Sequence, residues 1–318
     1  MRKYIVRRLI AALAVMFLVS ALSFLVLDLI PGNAAMVALG TEADADQLAA
    51  LEASLGLDRP IVERLATFYL DLLHGDLGQS SYFGQSVSLL IAQRIGVTFT
   101  LAFSSVLLAL LLALVLGTLA AMRKGTLADG VCRIVTQLAA SIPSFWLSLI
   151  LLILFSSVLH LVDVGAWAPF SQDPAAFIEA LILPVAVLTV GELSPALRLV
   201  RVGMVDAVAS DWYANARIRA LPPWRLTLYA LRSAIGAPLT NAALQLARLL
   251  GGTAIVESVF AIPGLGRLFL TAVEMRDLAL VQGIVVFVTM LVVLVNLASD
   301  LLTLALNPVE RAKLRRPA

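Results

Sequence analysis

The chain has 318 residues, of which 61% are hydrophobic and 14% charged, against a charged share of about 25% in soluble domains. That balance excludes an ordinary soluble enzyme, and a formal net charge of +2 gives no sign of a nucleic-acid partner. The informative feature is the order in which apolar runs and charges alternate.

Six apolar runs are near 20 residues or longer, at about 10–29, 97–121, 134–159, 181–199, 238–260 and 281–306. Such runs are too long for core helices and long enough to cross a bilayer. The short alternating segments of a β-barrel are absent. The predicted fold class is an all-α polytopic membrane protein with six transmembrane helices, surrounded by membrane lipid. The first run follows Arg2, Lys3, Arg7 and Arg8 and leaves through Asp28-Leu29-Ile30-Pro31-Gly32. It is longer than the core of a signal peptide, about 7–15 residues, and lacks a small-residue cleavage site. Residues 1–30 therefore read as an N-terminus and a retained helix.

Residues 31–96 form a loop with eight acids and three bases. Helical spacing at 45–54 and 61–73 (Ile61, Leu65, Phe68, Tyr69, Leu72, Leu73), with Gly56 and Pro60 between, predicts two short helices. Gly75-Asp76-Leu77-Gly78 ends the second. Residues 97–306 are the five-helix core and 307–318 a tail. The third span opens through Ser141-Ile142-Pro143-Ser144-Phe145-Trp146, the fourth contains Pro184 and Pro195, and Gly251-Gly252 in the fifth permits close helix approach. Loop 261–280 begins with a Pro-Gly turn and continues as an amphipathic stretch too short to span.

Alternate segments, starting at the N-terminus, hold 17 of the 23 basic residues and the others hold five, Arg248 lying inside a span. Positive charge marks the cytoplasmic side, so both termini are predicted there. So is the basic loop at about 200–237. Its short helix, Asp211 to Ala220, has little of its own chain to bury against and is expected to dock on a partner. Among ionisable residues inside spans, Glu192 and Arg248 stand out. Arg248 lies about ten residues, roughly 15 Å, up the helix from Pro238. It is expected to face a translocation path, pairing with Glu192 at rest and favouring solutes with carboxylates. Asp28 and Asp300 read as interface or helix-contact residues.

No catalytic set is visible. His74 and His160 are far apart, the His-Glu-x-x-His pattern is absent, and Cys132 is the sole cysteine. No metal site is expected. The three lysines, Lys3, Lys124 and Lys313, do not follow a glycine, so the chain has no Walker A motif. A secondary transporter is opposed by the lack of an internal repeat, and an intramembrane enzyme by the lack of an acid, base or metal set.

Several stretches together resemble the permease subunits of the dipeptide/oligopeptide/nickel class of ABC importers, and the likeness covers essentially the whole chain. They are Arg7-Arg8 with the Pro31-Gly32 exit, Leu55-Gly56-Leu57-Asp58-Arg59-Pro60, Gly75 to Gly78, Ser141 to Leu147, Glu257 to Arg267, and Asn296 through Asp300 to Asn307-Pro308. The long first loop resembles the first permease of the pair. Asp211, Trp212, Ala216, Arg217, Arg219 and Leu221 fit the family's coupling motif, whose glycine is replaced by Ala220. Alanine makes a positive-φ turn costly, so the turn is expected to differ. The resemblance implies an inner-membrane type I permease without catalysis or cofactor of its own. It implies a second homologous permease, two cytoplasmic ATPases that bind ATP and Mg, and an external solute-binding protein. Asp211 to Leu221 would dock the ATPase. Glu257, Phe260, Pro263, Gly264, Gly266 and Arg267 would serve gating or binding-protein contact. Peptides are the leading substrate class, with nickel or a metal chelate as alternatives.

Overall fold

A computed structural model describes residues 2–29, 35–36, 44–54, 56, 58–163, 165 and 167–306. The Pro31-Gly32 exit, Leu55, Leu57, Asn307-Pro308 and the tail 307–318 lie outside the described residues. Among the described residues the chain is helical, apart from one isolated antiparallel bridge between Gln79 and Ser86.

The N-terminal helix α1 covers Arg2–Leu29. The two short helices predicted in the loop are present as α2 (Ala45–Ser54) and α3 (Ile61–Leu73). Three later helices are long and apolar enough to cross a membrane: α4 (Val87–Met122), α7 (Pro174–Val208) and residues Leu278–Leu301 of α13 (Leu278–Leu306). Helix α7 runs unbroken through Pro184 and Pro195.

Two of the expected spans are not single straight helices. The run expected at 134–159 is α5 (Leu127–Ser141) and α6 (Ser144–Leu152), bent by 95° at Ile142-Pro143. Proline disfavours helical backbone in the residue before it, and Ile142 is extended at φ −88°, ψ 117°. The pair counts as a fourth span if the bent helices are one crossing. Beyond α6 the chain widens into a π-helical turn, Ile153–Val158. The run expected at 238–260 is likewise divided at Thr253 into α10 (Gly236–Gly252) and α11 (Ala254–Val259). The basic loop holds α8 (Asp211–Ile218) and α9 (Pro223–Ala234), and the stretch after Pro263-Gly264 is α12 (Leu265–Glu274).

The chain divides into two compact units. The first comprises Met1–Thr98, Gly251–Ser258 and Pro263–Val293. Its core joins Val87, Leu90 and Ile91 to Leu265, Leu268, Ala272, Leu280 and Ile284. Gly283 lets α13 approach α4 so closely that a Cβ would overlap the Val87 side chain. Asp277, fully buried, caps α13 by accepting from the Leu280 N–H, and it also accepts from the Ser80 hydroxyl and the Tyr82 N–H. One carboxylate thus satisfies an orphan helix donor and holds the middle of the 74–86 segment at Ser80 and Tyr82.

The second unit comprises Phe99–Leu250, Val259–Ile262 and Leu294–Ala318. Helix α7 is its spine: α5, α6 and α9 pack against it. Val200 and Met204 of α7 share a core with Cys132, Leu226, Ala230 and Ala234. Gly203 admits Ala234 and Gly117 admits Val200 where a side chain would clash. Arg201 grips Asp129 with a two-pronged contact, Nε to Oδ1 at 2.7 Å and Nη2 to Oδ2 at 2.9 Å. Asp129 also accepts from the Gly125 N–H, which ties the 123–126 turn to α5 and α7.

Two replacements test these clamps. Asp277→Ala removes a cap and leaves the buried Ser80 hydroxyl proton without its acceptor, an expected loss of about 2–4 kcal/mol in detergent unfolding. Asp129→Ala leaves Arg201 without its counter-ion and is expected to lower stability in detergent unfolding. The double variant Asp129→Ala, Arg201→Leu should recover most of the second loss.

Candidate functional site

The helix of the coupling-like loop, α8, begins after Ser210 and is eight residues long. Its end is a Schellman motif: the Leu221 N–H bonds the Ala216 carbonyl at 3.4 Å, and the Ala220 N–H bonds the Arg217 carbonyl at 3.0 Å. That motif needs a left-handed residue at Ala220, and Ala220 adopts it at φ +56°. The expectation that alanine changes this turn is therefore corrected. The turn keeps its form, and alanine bears the roughly 1–2 kcal/mol steric cost of that backbone region. The same hydrogen-bond pattern ends α3 at Gly75 and α12 at Arg276. At α8 the compensation is visible: Leu221 and Ala216 pack against the core of the second unit.

A second correction concerns what α8 buries. Tyr213 is buried in the core around Met204 and Leu226, so the helix does have a face on its own chain. Sequence reasoning singled out Trp212 and passed over its neighbour. The signal was available, because Tyr213, Ala216 and Leu221 follow helical spacing on one side. Trp212, Arg217 and Ile218 are exposed, as is Arg219 in the turn that follows. Ile218 is 81% exposed. Beyond it, Arg225 lies over the exposed Trp224 ring, 5.0 Å from the centroid.

The Glu257–Arg267 stretch is organised by its first residue. Glu257 has no solvent exposure. Its Oε1 accepts from the hydroxyls of Thr98 and Thr253, both at 2.7 Å, and its Oε2 from the Arg267 N–H at 2.9 Å. Thr98 in turn accepts from the Leu265 N–H at 2.8 Å. Helix α12 starts after Gly264, which has no side chain to cap it, so Thr98 and Glu257 satisfy its first donors from other parts of the chain. The glycines permit this. A Cβ on Gly264 would overlap the Glu257 carboxylate, and one on Gly266 would overlap the Ala254 backbone. Arg94 supplies positive charge near Glu257. Phe260 is buried and Pro263 half-buried. Thr98 and Thr253 were not anticipated, since isolated threonines in apolar runs carry no sequence signal.

The predicted pairing of Glu192 with Arg248 is present. Arg248 Nη2 donates to Glu192 Oε2 at 3.0 Å, with side-chain exposures of 64% and 12%. Gln245, one turn earlier and fully buried, donates through Nε2 to the Glu192 carbonyl at 2.7 Å. In the first unit a cavity of about 440 Å³ is lined by charged groups of both signs, including Arg59, Arg64, Asp71 and Asp76.

Three helices long and apolar enough to cross a membrane, with a fourth if the bent pair is one crossing, define a multi-pass helical membrane protein. Comparison with known proteins gives the family. Residues 113–311 match the family described as binding-protein-dependent transport system inner membrane component, and residues 1–102 match its N-terminal companion. The chain belongs to this family, and it is the inner-membrane permease component of a transport system, not an enzyme. It is 33% identical over 309 residues to a protein of Brucella abortus (strain 2308) named for a peptide transport system permease, covering 97% of this chain and 98% of that one. It is 33% identical over 314 residues to the glutathione transport system permease protein GsiC of Salmonella choleraesuis (strain SC-B67), covering 98% and 100%. It is 30% identical over 306 residues to a protein of Sinorhizobium fredii (strain NBRC 101917 / NGR234) named for a peptide ABC transporter permease, covering 96% and 98%.

Glu257→Ala strips an acceptor from three buried donors and is expected to cost about 3–5 kcal/mol in detergent unfolding, Glu257→Gln less. Ala220→Gly relieves the left-handed alanine and is expected to raise stability by about 1 kcal/mol without changing the turn.

Proposed function

We propose that this chain is one of two homologous permeases in an ATP-driven importer of peptides, and forms half of the translocation pathway. The names of its relatives support the substrate class. In this reading the chain crosses the membrane six times with both termini in the cytoplasm, the divided runs at 134–159 and 238–260 each counting as one crossing. Two cytoplasmic ATPases bind ATP and Mg, an external solute-binding protein delivers the peptide, and the permeases alternate access by rigid-body motion.

The observation that carries the reading is the two-sided character of α8. Tyr213 anchors the helix in the core of its own unit while Ile218, Trp212, Arg217 and Arg219 remain exposed. A large apolar side chain rimmed by arginines is the composition of a protein-docking hot spot. The Asp211–Leu221 segment is the ATPase-docking element. The Glu257–Arg267 stretch bears on gating through the shape it gives its own turn, since Glu257 itself is buried. Glu192 and Arg248 border the pathway.

Mild-detergent capture of the tagged chain, followed by native mass spectrometry, tests the assembly. A second permease, two ATPases and a peptide-loaded binding protein are expected, and a stable chain recovered alone would overturn the importer. Ile218→Asp combined with Arg217→Glu should lower ATPase recovery about tenfold or more while the yield of folded permease stays level. Undiminished recovery would move the docking site elsewhere.

A further inference from the structure

The two ion pairs described in the second unit are built differently. Asp129 and Arg201 make a two-pronged contact between largely buried groups, with side-chain exposures of 3% and 22%. That is the geometry of a pair that holds structure. Arg248 touches Glu192 through one nitrogen only, at 3.0 Å, and most of its side chain is exposed. The pair is not needed to join its two helices, because Gln245 already binds the Glu192 backbone carbonyl from α10.

Arg248 is the sole charged residue of α10, about 15 Å along the helix from Pro238. An exposed guanidinium at that depth is expensive against hydrocarbon, about 2.5–3.5 kcal/mol on insertion scales, and such groups face a wet cavity or a polar partner. A planar fork with donors left over matches a carboxylate. We propose that Arg248 recognises the carboxylate of the transported solute, which takes the guanidinium from Glu192 as it passes. This rests on the peptide-importer reading, in which each solute ends in a free carboxylate. Glu192 then acts as a built-in competitor. It keeps Arg248 oriented while the path is empty, and it recaptures the guanidinium after release, so the solute is never held tightly.

The test uses the complete importer in proteoliposomes, with its own ATPases, second permease and binding protein. Uptake of one dipeptide is compared with uptake of its C-terminal amide, both at saturating binding protein. The binding protein is common to every assay, so a change in the acid-to-amide ratio belongs to the permease. Arg248→Gln should lower that ratio about tenfold or more, and Arg248→Lys should restore part of it. Because Arg248→Gln leaves Glu192 without its cation, the double variant Glu192→Gln, Arg248→Gln guards against misfolding. It should assemble normally and still lack the acid preference. A wild-type ratio in the double variant would overturn the proposal and leave the importer intact. A wild-type importer that moves neither peptide form would overturn the peptide reading itself, and the proposal with it.

Discussion

A carboxylate with no solvent exposure holds three stretches of the first unit together. Glu257 accepts from Thr98 on α4, from Thr253 at the break before α11 and from the N–H of Arg267 in α12. An ionisable group placed there without partners would be costly. With them, it does the work a capping side chain would do for α12, at a helix start where Gly264 offers none. The requirement propagates outward. Gly264 must be glycine to leave room for the carboxylate, Gly266 to sit on Ala254, and the core of Val87, Leu265 and Leu268 closes over the arrangement. The division of the expected span at Thr253 belongs to the same arrangement, because the residue at the break is one of the donors.

The second unit has a different logic. Helix α7 carries Glu192 near its middle and Arg201, Met204 and Val200 toward its end, where α5 and α9 pack. Tyr213 of α8 enters that same core. An exposed helix anchored by one aromatic and closed by a Schellman turn is mechanically continuous with α7. Displacement of α8 must therefore move the packing around Met204 or break it. Close contacts at Gly117 and Gly203 leave little slack for a local response.

Much of this was legible in the sequence, for identifiable reasons. Long apolar runs, acid-rich and base-rich segments and turn residues such as Gly75 carry local signals; they placed α3 and α12, and they found the middles of α4 and α7 but not their ends, since α4 begins at Val87 within the expected loop 31–96 and α7 begins at Pro174 and continues to Val208. Glu192 and Arg248 were conspicuous because charge is rare in apolar runs, and complementary signs suggested the pairing. The bend at Pro143 and the break at Thr253 were hidden in runs whose hydropathy is continuous. The two threonines around Glu257, the Asp129–Arg201 clamp across 72 residues and the double role of Asp277 depend on tertiary proximity, which no local pattern encodes. Ala220 shows the limit of propensity. A residue disfavoured at positive φ takes that backbone because Leu221 and Ala216 have core to pack on, and tertiary packing outweighs the local penalty.

The donors around Glu257 also bear on the order in which the chain is made. Thr98 precedes the carboxylate by 159 residues and emerges from the ribosome long before it, whereas Arg267 and Leu265 follow. The segment around Glu257 thus enters the membrane with Thr98 waiting on an earlier helix and Thr253 four residues before it, while the Arg267 N–H is still to be synthesised. The second carboxylate oxygen gains its partner only when α12 arrives, so closure of this part of the first unit is a late event in biogenesis.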